Sequence, residues 1–138
     1  MGFHERGAEK ALRAKMKHLI AECNGLFGKV VADLIAEGHE DSSILKELYE
    51  NHIRLRRAST VADIERGIAS GELSSETDPE LLIDGIFAPV YYRLLLRVAP
   101  LTEAYGNQLI DQALLGVRPR KKARRKREHS GCRLRSVP

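Results

Sequence analysis

The chain has 138 residues, 43% hydrophobic, 30% charged and 5% aromatic, with a net charge of +4. That length suits one domain able to bury about two-thirds of its unfolded surface. No run of about eighteen apolar residues exists, which argues against a transmembrane helix. The opening Met1-Gly2-Phe3-His4-Glu5-Arg6 lacks the basic start and apolar core of a signal peptide. Two distant cysteines, Cys23 and Cys132, fit a reduced, cytoplasmic protein better than a disulfide scaffold.

The charge is divided. Residues 1–117 hold 13 Lys and Arg against 18 Asp and Glu, whereas residues 118–138 hold 10 against 1. A mildly acidic body therefore precedes a strongly basic tail, and any inference toward nucleic acid applies to the tail alone.

Periodicity predicts an all-α body of about five helices, with no strand signal. The first spans roughly Glu5 to Glu22, with Ala8, Leu12, Met16, Leu19 and Ile20 on one face and Glu9 placed to pair with Arg13. Asn24 and Gly25 interrupt it. The second runs from about Leu26 to Glu37, and Gly38 is placed to end it in the left-handed conformation. After the polar loop His39–Ser43 comes a long third helix, about Ile44 to Ser70, stopped by Gly71. Its inward face carries Leu45, Leu48, Tyr49, His52, Leu55, Val61, Ile64 and Ile68, and its length predicts a kink near Ala58-Ser59-Thr60.

The fourth helix begins at Thr77-Asp78-Pro79-Glu80, where Asp78 or Thr77 caps and Pro79 occupies the first turn. Ile83, Ile86, Phe87, Val90, Tyr91, Leu94, Leu95 and Val98 then recur at helical spacing, and Pro89 predicts a bend. Beyond Pro100, Thr102 caps a fifth helix bearing Tyr105, Leu109, Ala113, Leu114 and Val117. Two such broadly apolar helices need a partner surface, and a second copy of the chain would supply one. From Arg118 onward the dense like charge and absent periodicity predict a disordered basic tail over 118–138.

Chemistry-bearing patterns are sparse. There is no nucleophile elbow, P-loop or dinucleotide fingerprint and no cluster with metal-ligand spacing, so the expectation is a non-enzyme without cofactor or metal. His52 and His18 read either as polar contacts to a ligand or as partly buried structural histidines, the second reading being favoured. Cys23 reads as an inert packed thiol sooner than as a redox sensor. The 118–127 run would hold nucleic acid without sequence specificity and with steep salt dependence, unless it is a fortuitous solvated extension. The alternative function is thus a small helical interaction protein that engages nucleic acid through this tail.

Several segments, in order, resemble one known family. They are Arg66-Gly67-Ile68-Ala69-Ser70-Gly71-Glu72-Leu73, then Asp78-Pro79-Glu80-Leu81, then Phe87-Ala88-Pro89-Val90-Tyr91-Tyr92-Arg93-Leu94-Leu95. Pro100-Leu101-Thr102-Glu103-Ala104-Tyr105 and the stretch from Leu109 to Gly116 complete the series. Together they resemble the C-terminal domain of tetracycline-repressor-like (TetR family) transcriptional regulators, well over about residues 44–117 and loosely over 5–38.

The resemblance implies a ligand-sensing and dimerisation domain, residues 1–117. The last two helices would pair with their copies in a four-helix core, using Ile86, Phe87, Val90, Tyr91, Leu94, Leu95, Tyr105, Leu109, Ala113 and Leu114. The middle helices would enclose a small, largely apolar effector, with Met16, Leu19, Phe27, Val31, Tyr49 and His52 as its expected contacts. Two departures stand beside this. No helix-turn-helix head is recognisable before Glu5, so operator DNA becomes a partner only if one is supplied, and the basic tail is foreign to the family pattern.

Overall fold

Helix α1 (Gly7–Cys23) repeats apolar residues at Ala8, Leu12, Met16, Leu19, Ile20 and Cys23, and all six are buried. Such a stripe needs covering on more than one side. In the computed structural model, which describes residues 7–120, α1 packs against α2 (Leu26–Glu37), α4 (Arg54–Ser70), α5 (Pro79–Leu96) and α6 (Glu103–Val117). Leu12, Ile64, Ile86, Val90 and Ile110 meet in the resulting core with no exposed surface at all. Helix α3 (Ser42–Leu48) joins α4 through a π turn, Tyr49–Ile53, so residues 42–70 form one continuous helical rod. The fold is all-α, with no strand among the described residues, as the periodicity predicts.

Caps fall where the polar residues place them. An Asp78 side-chain oxygen accepts from the N–H groups of Glu80 at 3.0 Å and Leu81 at 3.3 Å, and Thr102 Oγ1 accepts from Tyr105 N–H at 3.0 Å. Helix α5 continues unbroken through Pro89 and ends at Arg97, which adopts a left-handed φ of 54°.

Two expectations are corrected. Gly38 ends α2 in right-handed geometry, φ −62°, so it is not a left-handed cap. Its lack of a side chain serves packing instead, because a Cβ there would stand 2.2 Å from Leu45 Cγ. The irregularity in the long helix lies at Tyr49–Ile53, not at Ala58-Ser59-Thr60. The Thr60 hydroxyl donates back to the Arg56 carbonyl at 2.8 Å, which satisfies the buried side chain without breaking the helix. The basic tail lies outside the described residues from 121 onward.

The turn between α4 and α5 fastens the start of α1. Gly71 stops α4 with φ 87°, a conformation that favours glycine. Glu72 is then buried, and its two carboxylate oxygens accept from the backbone N–H groups of Ala8 and Glu9, each at 2.9 Å. Negative charge thereby meets the positive end of the α1 dipole. Gly67 permits the approach, since a Cβ at that position would come within 2.7 Å of Ala8 Cβ. Glu72→Ala is expected to lower stability by about 2–3 kcal/mol, and Glu72→Gln by less, because an acceptor survives in the amide. Urea denaturation of the two variants checks this; equal midpoints for wild type and Glu72→Ala would refute the cap's importance.

Candidate functional site

A cavity of about 500 Å³ opens between α1, the π turn, α4 and α5. Its positions recur at helical spacing, Lys15, His18 and Leu19 on α1, then Arg56, Arg57 and Thr60 on α4, then Ile83, Phe87 and Tyr91 on α5. Three helices that lean on one core therefore each turn one flank toward the same space. The interior is apolar, formed by Leu19, Ile53, Ile83, Phe87 and the Tyr91 ring. This size and lining match a small-molecule site.

Ion pairs ring the mouth. Lys15 Nζ reaches Asp63 at 2.6 Å and Ser59 Oγ at 2.8 Å. Arg57 spans Glu80 at 2.7 Å and Asp84 at 2.9 Å. Glu22 is shared, with one oxygen 2.7 Å from Arg56 and the other 3.1 Å from His18 Nε2. Behind this cluster Arg56 lies 5.6 Å over the Phe27 ring, whose edge faces His52 at 6.2 Å. Burial holds the Tyr91 hydroxyl above its usual pKa; Cys23 and Glu22 add to the shift and Arg56 opposes it. The hydroxyl thus lies within the field of the Arg56–Glu22 pair.

A larger depression, about 930 Å³, lies between the α1–α2 junction and the α5–α6 loop, and it is more open. Two of its polar groups tie the rim together: Asn24 donates to the Leu101 carbonyl at 2.9 Å and Arg93 to that of Pro100 at 3.0 Å. Arg93 also covers the Tyr105 ring at 3.4 Å. The smaller, better-walled cavity is the stronger candidate.

The structure distributes the expected effector contacts unevenly. Leu19 lines the cavity. Met16 and Val31 are buried in packing elsewhere, Phe27 lies against Arg56 outside the cavity, and Tyr49 and His52 are exposed, His52 beside the Phe27 ring. His18, the other histidine weighed as a polar contact, does border the cavity. Lys15, Ile53, Arg56, Arg57, Thr60 and Ile83 also line it without having been expected as contacts, although their helical spacing was a readable signal.

The expected self-association residues divide likewise. Ile86, Val90 and Leu114 are buried inside the chain's own core, whereas Phe87 and Tyr91 line the cavity. Leu94, Tyr105, Leu109 and Ala113 are half-buried, and Leu95 is exposed. The open apolar stripe on α5 is Leu81, Gly85, Ala88, Tyr92 and Leu95, at i, i+4, i+7, i+11 and i+14. Leu96 lies beside it, and Leu115 is open on α6.

Among the described residues no three His, Cys, Asp or Glu side chains gather as a metal site, and no helix is long and apolar enough to cross a membrane. The family model described as "Tetracyclin repressor-like, C-terminal domain" matches residues 7–113. A Bacillus subtilis (strain 168) protein described as "Uncharacterized HTH-type transcriptional regulator YdeS" is 33% identical over 90 residues. Those residues span 65% of this chain and 46% of that relative, so the match covers less than half of the relative's length. The chain belongs to the tetracycline-repressor-like C-terminal domain family of transcriptional regulators.

Cys23 lies at the end of α1, buried, and burial pushes its thiol up to about 11. A neutral, covered thiol is a poor nucleophile. In a Cys132→Ser chain, alkylation of Cys23 by iodoacetamide at pH 8 is expected to be on the order of a hundredfold slower in the folded protein than in urea. Comparable rates in the two states would contradict the burial.

Proposed function

We propose that this tetracycline-repressor-like domain is a non-catalytic sensor that binds a small, largely apolar effector and pairs with a second copy of itself. The observation that carries the reading is the division of labour around α5. One side supplies Ile86 and Val90 to the core, the next supplies Ile83, Phe87 and Tyr91 to the cavity, and the next leaves Leu81, Tyr92 and Leu95 open. Cavity and apolar stripe are thus neighbouring faces of one rigid helix.

An effector in the cavity separates or draws together α1 and α5. A partner resting on the α5 stripe experiences that movement directly. Regulation follows as a population shift between helix arrangements, limited by the difference in effector affinity for the two. The reading assigns sensing and pairing to the family's C-terminal domain in the cytoplasm. Operator recognition belongs to a helix-turn-helix head.

Sedimentation of the full chain at tens of micromolar is expected to give twice the monomer mass. Tyr92→Glu and Leu95→Glu place an uncompensated charge in the stripe that pairing would bury and are expected to weaken pairing at least about tenfold while preserving helix content. The neutral dye N-phenylnaphthylamine should brighten on binding wild type and do so far less with Phe87→Asp. A monomeric wild type would remove the pairing, and undiminished dye binding by Phe87→Asp would remove the cavity.

A further inference from the structure

The side chains at the cavity mouth are not equally engaged. Lys15 is occupied by Asp63, Ser59 and, at 3.4 Å, Thr60. Arg57 directs Nε and both terminal nitrogens to Glu80 and Asp84. Glu22 gives one oxygen to Arg56 and the other to His18, Asp84 gives one oxygen to Arg57, and the Thr60 hydroxyl donates to the Arg56 carbonyl.

Arg56 differs from its neighbours. Of its five N–H donors, one binds Glu22, and among the described residues its Nε and second terminal nitrogen make no hydrogen bond. The Tyr91 hydroxyl, likewise without a hydrogen bond among the described residues, borders the same cavity and feels the same charges. Unused donors therefore border a largely apolar space, while each Glu22 oxygen already faces a nitrogen.

Resting on the sensing reading above, we propose that the effector is an organic anion, a carboxylate on an apolar body, whose head group accepts from Arg56 and Tyr91. Its body fills the space between Leu19, Ile83 and Phe87. A planar carboxylate has two oxygens to offer these donors, and charge-assisted bonds to guanidinium are the strong ones. A cationic head would face the Arg56 guanidinium directly, and a neutral chain would add no charge-assisted bond to it.

Three amphiphiles of matched length test this on the full chain below their micellar concentrations: decanoate, decanol and decylammonium. Calorimetry should show decanoate binding about ten- to a hundredfold more tightly than decanol, with decylammonium weakest. Arg56→Gln should reduce decanoate to the affinity of decanol and leave decanol unchanged; Tyr91→Phe should cost decanoate about tenfold. Arg56→Gln retains the ten cations of residues 118–138, so decanoate binding that survives it in full would belong to the tail and overturn the proposal. Decanol equalling decanoate, or decylammonium exceeding it, would overturn the anion assignment and leave the apolar cavity standing. Failure of all three to bind would overturn both.

Discussion

The fold turns on a single carboxylate. Glu72 is buried at the α4–α5 turn and holds the first N–H groups of α1 in its two oxygens. A buried charge is costly unless fully hydrogen-bonded, and here a helix terminus supplies both bonds and a favourable dipole. The consequence is positional. Helix α1, which covers α2, α4, α5 and α6, cannot slide along its axis without losing the cap. The cavity wall formed by Lys15, His18 and Leu19 is therefore indexed to the end of α4. The short run from Gly67 to Leu73 provides each part of this: close approach at Gly67, reversal at Gly71, the cap at Glu72, and burial of Leu73.

Helix α5 shows why the fold was more legible than the site. Its start was plain, since Asp78 and Pro79 are position-specific signals for a cap and a first turn. Its faces were not. Between Leu81 and Leu96 nearly every position is apolar, leaving little contrast to tell core from cavity from open surface. Reading the densest recurrence, Ile86, Phe87, Val90 and Tyr91, as a surface for self-association drew together residues that the fold sends to the core and the cavity. The exposed set is the weaker-looking one, because Gly85 and Ala88 occupy its middle.

Helix α1 is the opposite case. Its polar residues alternate cleanly with the buried stripe, and the Glu9–Arg13 pair read from spacing is present, extended to Asp111 on α6. The π turn was invisible for a different reason: Tyr49-Glu50-Asn51-His52-Ile53 contains no glycine or proline, so nothing in its composition departs from an ordinary helix. That turn rotates the faces of α4 relative to those of α3. Tyr49 and His52 consequently miss the cavity that Ile53 and Arg56 enter.

The same turn bears on how a filled cavity would be felt. Ile53 and Arg56 sit at its C-terminal end and border the cavity, while Leu48 at its N-terminal side is buried and α3 rests on α2. A π turn differs from α-helix by one hydrogen-bond register, and Arg56 lies in the first turn of helix that follows it. The Glu72 cap holds α1 on the other side of the cavity. On the proposed reading, movement caused by an occupant would be resisted at α1 and passed to α5, whose open stripe lies one face away. On that reading an effector would need only to favour one position of α5 over another.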